Sequence, residues 1–169
     1  MNQPPRRADH AGKDALAPLS FEDWQTRPRH RCETRLPAAG TAGSRARLWV
    51  CPRLEEAHWP GNPDIAARVA GRLVDNAVQH GRAFPDGCVV LRLAVLHSEH
   101  LRVEVDDANP EFPDFDAVNI PKHPVGRGLW WVWHYRGRLT WQPRRDEDGM
   151  VVGKSVCAVL PLAWDEMPA

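Results

Sequence analysis

The sequence has no long apolar run, no closely spaced pair of cysteines and no excess of charge of either sign. No apolar stretch approaches the roughly 20 residues that a membrane-spanning helix needs. The N-terminal residues MNQPPRRADHAGKD have no apolar core of the kind found in signal peptides, so we expect a cytoplasmic protein that does not bind membranes. The absence of a C-x-x-C pair argues against a zinc knuckle or a disulfide framework. We expect buried free thiols at Cys32, Cys51, Cys88 and Cys157.

The charge balance argues against broad binding to DNA or RNA. Lys and Arg together number 22, as do Asp and Glu, so no surplus of cations is available to neutralise phosphates. A length of 169 residues, with 43% hydrophobic and 26% charged residues, is typical of one globular domain with tails. We predict a Pro-rich tail at 1–28, a domain at 29–163 and a short C-terminal tail at 164–169. The apolar patch LSFEDW in the first tail can dock on the domain or bind a partner.

The first half of the domain predicts one strand and two helices. RCETRL (31–36) alternates as a short strand, and the apolar spacing of 41–57 predicts a helix that Pro52 bends or interrupts. A second helix is expected to start at Asn62-Pro63-Asp64, because Asn is a favoured N-cap and Pro fits the first helical position. Its apolar stripe runs to His80, and Gly81 is a natural stop.

The second half predicts two hairpins separated by a long loop. The loop, 109–125, contains four prolines and no periodicity, and we expect it to be irregular. A buried helix is predicted for LWWVWHY, after Gly126 to Gly128. The hairpin strands are predicted at 88–96 with 101–107 and at 138–143 with 154–162. The order of elements predicts an α+β two-layer sandwich, in which a mixed, mostly antiparallel sheet has helices on one face.

Three segments contain candidate binding residues. Asn76 lies in RLVDNAVQHGR, and its amide oxygen suits a hard cation such as Mg²⁺, although a helix-surface Asn is the simpler interpretation. Asp107 ends the strand VEVDD, where its carboxylate can accept a hydrogen bond from an exocyclic amine or can simply form a turn. The run Gly126-Arg127-Gly128-Leu129 precedes a predicted helix, so its backbone can approach a phosphate. By itself, one G-x-G is weak evidence.

Taken together and in this order, LVDNAVQH, VEVDDANP and GRGLW resemble the three motifs of the Bergerat-fold (GHKL) ATP-binding family, shared by gyrase B, Hsp90 and histidine kinases. With RLPA, they look most like small actinobacterial ATP-binding regulators related to anti-sigma-factor serine/threonine kinases. The resemblance extends from Arg31 to Leu162. It implies an α/β sandwich that binds ATP and Mg²⁺ between its helices and its sheet, under a mobile lid.

The resemblance also implies roles for individual residues. Asn76 matches the asparagine that coordinates Mg²⁺ on the triphosphate, and Asp107 matches the aspartate that accepts from the adenine amino group. Gly126 and Gly128, followed by Leu129, match the second glycine motif near the phosphates, while 111–125 corresponds to the lid. Arg127 between the glycines can contact phosphate or can be a solvent-exposed lid residue. His80 occupies the family's histidine position, for which we favour a structural role. The implied partners are a sigma factor or an anti-anti-sigma protein, and a homodimer remains open.

Two positions depart from the family pattern. Catalytic members have a glutamate base four residues before the asparagine, but this position is Arg72, which cannot act as a base at neutral pH. Asp75 is a candidate substitute, although it points about 100° away from Asn76 on a helical wheel. Asn109 replaces a glycine of the wider family and is expected to reshape the lid. The sequence therefore leaves kinase activity open, and the alternative is a degenerate interaction module with weak or no nucleotide binding. The ATP-binding half of a histidine kinase is disfavoured because no dimerisation helix pair precedes the domain.

Several tryptophans lie close to the second glycine motif in the sequence. Trp130 and Trp131 are adjacent and cannot both face inward from one helix, so at least one is expected at a surface. Either these rings and those of Trp133 and Trp141 are partly exposed core aromatics, or they anchor a partner.

Overall fold

The computed structural model describes residues 26–120 and 129–162. Most of the predicted N-terminal tail, the glycine motif at 126–128 and the predicted C-terminal tail lie outside these residues. In chain order, the described helices and strands are β1 (Pro28–Pro37), α1 (Ala42–Glu56), α2 (Pro63–His80), β2 (Cys88–Leu96), β3 (Leu101–Asp107), α3 (Phe115–Val118), α4 (Trp130–His134), β4 (Arg138–Arg145) and β5 (Val151–Leu160).

The strands form one five-stranded sheet in the order β1-β2-β3-β5-β4. Both predicted hairpins, β2 with β3 and β4 with β5, are confirmed. We predicted a mixed, mostly antiparallel sheet. In the described parts of the chain every strand pairing is antiparallel. β1 begins and ends with proline and lies at an edge of the sheet, where a missing backbone donor is tolerated.

Helix α2 begins as its capping sequence predicts. The Oδ1 atom of Asn62 accepts hydrogen bonds from the backbone N–H groups of Asp64 at 3.0 Å and Ile65 at 3.2 Å. Pro63 occupies the first turn, and the helix ends at His80. Its apolar stripe is buried against α1 and the sheet, at Ala66, Ala67, Val69, Ala70, Leu73, Val74 and Ala77. The cap therefore sets the start of the helix that carries Asn76.

The sheet has one apolar face and one charged face. The predicted alternation in β3 is confirmed, with Leu101, Val103 and Val105 in the core under the helices. Asp106 points to the opposite face, yet it is fully buried because the guanidinium groups of Arg92 and Arg144 both contact its Oδ2 atom. These arginines cover part of the outer face with their own side chains.

Two short helices differ from the sequence-based expectation. The loop predicted to be irregular contains the one-turn helix α3, which is too short to produce a periodic pattern. The helix predicted for LWWVWHY has only five residues, and Val132 alone is buried within it. Trp130, Trp131 and Trp133 are half-buried, as is Trp141 in β4. The Trp130 ring packs edge-on against Trp131, with centroids 4.9 Å apart.

The cysteines are free thiols, but each is half-buried rather than fully buried. Burial raises the pKa of the Cys157 thiol to about 11. Among the described residues, no helix is long and apolar enough to cross a membrane.

Replacing the cap residue tests the role of Asn62. Asn62→Ala is expected to lower the free energy of unfolding by about 1 kcal/mol, because two N–H groups at the start of α2 lose their acceptor. Denaturant unfolding measures the change. Asn62→Asp keeps an oxygen acceptor and should retain most of the stability, and equal losses in both variants would contradict this role.

Candidate functional site

Helix α2 borders a cavity of about 430 Å³, which we call the α2 cavity. Asn76 and His80 lie one helical turn apart and both line it, so the helix places the candidate Mg²⁺ ligand at the cavity wall. The cavity is lined by Asn76, His80, Glu111, Phe112, Pro113, Asp114, Val118, Leu129 and Lys154. Its volume is within the range of about 300–1,000 Å³ that is common for small-molecule sites.

An aromatic cluster holds the opposite wall of the cavity against β4. The Phe112 and Phe115 rings meet edge-on with centroids 5.1 Å apart. Trp141 packs on both, at 6.1 Å from Phe112 and 6.3 Å from Phe115. The part of the predicted lid that the structure describes, 111–120, is therefore attached to the sheet through its aromatic side chains.

Asp107 ends β3 and is completely buried. Its Oδ1 atom accepts hydrogen bonds from the backbone N–H of Asn109 at 2.8 Å, from the backbone N–H of Arg82 at 3.4 Å and from the Lys154 ammonium at 2.9 Å. Its Oδ2 atom is 2.9 Å from the same ammonium but makes no hydrogen bond within the described residues. Both oxygens of the buried carboxylate thus lie 2.9 Å from the ammonium that neutralises it.

Lys154 is a site residue that the sequence analysis missed. It lies opposite Asp107 in the register of β3 with β5, is 3% exposed, and lines the α2 cavity while Asp107 lies behind it. A buried lysine requires a counter-ion, which Asp107 provides. The available signal was a charged residue at the start of an apolar strand, in GKSVCAVL, but the sequence does not show which residue faces it.

Gly81 allows the end of α2 to approach Asp107 closely. A Cβ atom at Gly81 would lie 2.5 Å from Cγ and 2.7 Å from Oδ1 of Asp107. At Gly153, a Cβ would clash with the backbone oxygen of the same aspartate. Gly81 therefore makes room for the buried carboxylate, and Gly153, within β5, makes room for the backbone of the same residue.

The structure brings together some of the predicted site residues and leaves others apart. Asn76 and Leu129 line the cavity, and Asp107 contacts it only through Lys154. Gly126, Arg127 and Gly128 lie outside the described residues. The five-residue helix that follows them is short, so it provides little of the dipole on which a phosphate site at a helix start depends.

Neither Arg72, which occupies the expected base position, nor Asp75 is part of the cavity lining. Arg72 is half-buried one turn before Asn76 and is absent from the cavity lining. The Asp75 carboxylate packs against Gly43 of α1, so this residue does not replace the missing glutamate. The carboxylates that do line the cavity are those of Glu111 and Asp114, from the segment after β3.

A wider groove of about 770 Å³ lies beside the turn that precedes β2. Three arginines line it: Arg35 pairs with Asp86 at 2.6 Å, Arg144 pairs with Asp106 at 2.6 Å, and Arg82 donates to the backbone oxygen of Ala108 at 2.9 Å. The guanidinium groups of Arg35 and Arg144 also lie near the Phe84 ring. Because Asn76 and Leu129 line the α2 cavity and no residue with a predicted binding role lines this groove, the α2 cavity is the better candidate site.

No protein-family model and no curated protein sequence matches this chain. Among solved structures, the chain is similar to the crystal structure of the RsbU and RsbW domains of Rv1364c from Mycobacterium tuberculosis, with a TM-score of 0.51 and 17% identity. The similarity covers 84% of this chain and 35% of that one, so most of the solved protein lies outside it. Sequence identity this low establishes a common fold alone. The α+β sandwich of the Bergerat type is thereby confirmed as the fold class.

A pair of glycine variants tests the close contact behind the cavity. Gly81→Ala is expected to cost about 1–3 kcal/mol of unfolding free energy, because its methyl group would overlap the Asp107 carboxylate. Gly40→Ala is the matched control, since no heavy atom lies within 4 Å of the added Cβ. Thermal unfolding of both variants provides the comparison, and equal stabilities would refute the proposed crowding at Gly81.

Proposed function

We propose that this protein is a regulator that binds ATP with Mg²⁺ in the α2 cavity and controls transcription through a protein partner. The observation that carries the proposal is that Asn76 and Lys154 line one cavity of nucleotide size, with the Asp107 carboxylate paired to Lys154 behind its wall. The motif resemblance and the fold shared with a structure that includes an RsbW domain support the same conclusion.

The buried end of the cavity fits a nucleobase. Asp107 is the carboxylate that the motif resemblance matches to adenine, and it lies behind Lys154, so a base would reach it only if Lys154 moved. Phe112 and Leu129 provide apolar walls nearby. ATP bound here would lie between α2 and the segment after β3.

The α2 side of the cavity fits a magnesium nucleotide. Asn76 offers an amide oxygen, and Mg²⁺ prefers oxygen ligands while keeping several waters and substrate phosphates. A single protein ligand is therefore compatible with a metal that the triphosphate brings into the site. Magnesium there would neutralise phosphate charge.

The family resemblance points to a sigma factor or an anti-anti-sigma protein as the partner. Nucleotide binding would set which conformation of the segment after β3 the partner meets, because that segment forms one cavity wall. The chain's own residues would then act by binding and positioning, with or without phosphoryl transfer.

A degenerate interaction module is the second candidate, and two observations favour it. Arg72 stands where a glutamate base is expected, and no carboxylate of α2 lines the cavity. In addition, Lys154 already pairs with the carboxylate that would bind adenine. Arg72 at the base position concerns catalysis, and the Lys154–Asp107 pair concerns binding, so the two observations are tested separately.

The nucleotide site is tested by calorimetric titration with ATP, with and without Mg²⁺. We expect magnesium-dependent binding that weakens about tenfold or more in Asn76→Ala, equivalent to about 1.4 kcal/mol. The loss arises because the variant lacks the amide oxygen at the cavity wall.

Gln79→Ala is the matched control, because Gln79 is exposed on α2 and outside the cavity lining. It should bind as the unmodified protein does. If millimolar ATP gives neither heat nor thermal stabilisation, the nucleotide proposal fails and the interaction module stands.

The missing base is tested by Arg72→Glu. We expect phosphoryl transfer from ATP to rise by about 10²-fold or more, the usual contribution of a general base. Radiolabelled ATP measures the transfer. Arg68→Glu makes the same charge change at an exposed position one turn earlier and should give no gain. Equal rates in the two variants would show that Arg72 does not limit the reaction.

A further inference from the structure

The groove beside the turn that precedes β2 is separate from the α2 cavity and has no role in the proposed function. Its volume is about 770 Å³, and it shares no lining residue with the α2 cavity. Its lining combines apolar side chains with three arginines. These two kinds of group together restrict what the groove can bind.

Apolar residues form more than half of the groove lining. They are Ala83, Phe84, Pro85, Ala108 and Val152. Val152 is 37% exposed, and Met150 and Val151, which precede it, are exposed as well. Neighbouring exposed apolar side chains are typical of a surface that a partner covers. A small inorganic anion bound in the groove would leave this apolar surface in contact with water.

Arg82 contributes a positive charge that has no counter-ion among the described residues. Its side chain is exposed, and its guanidinium donates to the backbone oxygen of Ala108 at 2.9 Å. A guanidinium has five N–H donors, so this contact leaves most of them for a further acceptor. A carboxylate accepts two such donors at once, in the bidentate geometry that favours arginine over lysine.

The other two arginines of the groove are only partly neutralised. Arg35 pairs with Asp86 at 2.6 Å. Arg144 contacts the buried Asp106, but Arg92 shares the same carboxylate oxygen. The three lining guanidinium groups therefore face one carboxylate in the groove and a share of a second one behind it. The groove has a surplus of positive charge, although the chain as a whole has none.

The Phe84 ring places two of these charges next to the apolar part of the lining. Its centroid lies 5.8 Å from the guanidinium carbon of Arg35 and 5.4 Å from that of Arg144. A guanidinium that lies over an aromatic face keeps the N–H groups at its edge able to donate. Apolar surface and hydrogen-bond donors are thus presented side by side.

We propose that this groove is a docking surface for an acidic segment of a partner protein, in which carboxylates alternate with apolar side chains. The apolar side chains of the segment cover Phe84 and Val152, and its carboxylates accept from the arginines. An apolar centre with a polar rim, enriched in arginine and aromatic residues, is the usual composition of a protein interface. The inference goes beyond the proposed function and does not depend on it, because docking here requires no nucleotide.

The test uses three short fluorescein-labelled peptides and the full chain without nucleotide. The first peptide alternates Glu with Leu, the second has Gln in place of Glu, and the third has Ser in place of Leu. Fluorescence anisotropy should show that the Glu-Leu peptide binds about tenfold or more tightly than either of the others, because charge and apolar contact both contribute. Its affinity should fall as the salt concentration rises.

Val152→Asp places a repelling charge in the groove and removes an apolar contact. It is expected to weaken binding of the Glu-Leu peptide about tenfold or more. Leu48→Asp is the matched control, because Leu48 is 79% exposed on α1 and lies outside the groove lining. The control should bind the peptide as the unmodified protein does.

Arg82→Gln is a second variant that keeps the result decisive if Val152→Asp does not fold. It removes an exposed side chain without an ion pair among the described residues and should weaken binding about threefold or more, as for loss of one exposed charge pair. Arg68→Gln makes the same change at an exposed position of α2 outside the groove and should have no effect.

Several outcomes would overturn the inference. Equal affinity for the three peptides, or no binding at millimolar peptide, would remove the acidic segment as the occupant. Unchanged binding in folded Val152→Asp and Arg82→Gln variants would place the contact elsewhere on the surface. Inorganic phosphate or phosphatidylserine vesicles that bind in an Arg82-dependent way, while the Glu-Leu peptide does not, would make the groove an anion or membrane site instead. Failure of ATP binding is a separate result, since the peptides are titrated without nucleotide.

Discussion

The buried carboxylate of Asp107 joins three parts of the chain that are distant in sequence. It accepts from the backbone after α2 at Arg82, from the backbone after β3 at Asn109, and from the ammonium of Lys154 in β5. Loss of one partner of a buried ion pair leaves an uncompensated charge, which costs more than loss of an exposed pair. The end of α2, the start of the cavity wall and the central sheet thus depend on one side chain.

Two adjacent aspartates show why only one face of the sheet is a candidate site. Asp106 and Asp107 are both fully buried, and consecutive strand residues point to opposite faces. Asp106 is held between Arg92 and Arg144, whose side chains partly reach solvent, so its pairs cover the outer face. Asp107 is held by a lysine that lines a cavity beneath the helix layer. The same chemical group therefore anchors covering arginines on one face and a cavity-lining lysine on the other.

The sequence predicted those helices and strands that are determined by residues close together in the chain. The Asn62 cap, the stripe of α2 and the two hairpins depend on residues within one helix or hairpin, and all are confirmed. Asn76 was identified from a motif and does line the cavity. Lys154 was missed because its importance depends on the register of β3 with β5, which joins residues 47 positions apart. The one-turn helix α3 was missed because four residues cannot establish a period.

The two unexpected cations affect different functions of the proposed site. Arg72 stands where the motif resemblance implies a proton acceptor and is absent from the cavity lining, so it would oppose activation of an attacking hydroxyl or water without changing the groups that line the cavity. Lys154 lines the cavity and pairs with Asp107, so it would affect binding. In the proposed function, binding and phosphoryl transfer therefore depend on separate residues. A regulator with this arrangement can retain nucleotide recognition after catalysis has been lost, because no residue proposed for recognition is also required to accept the proton.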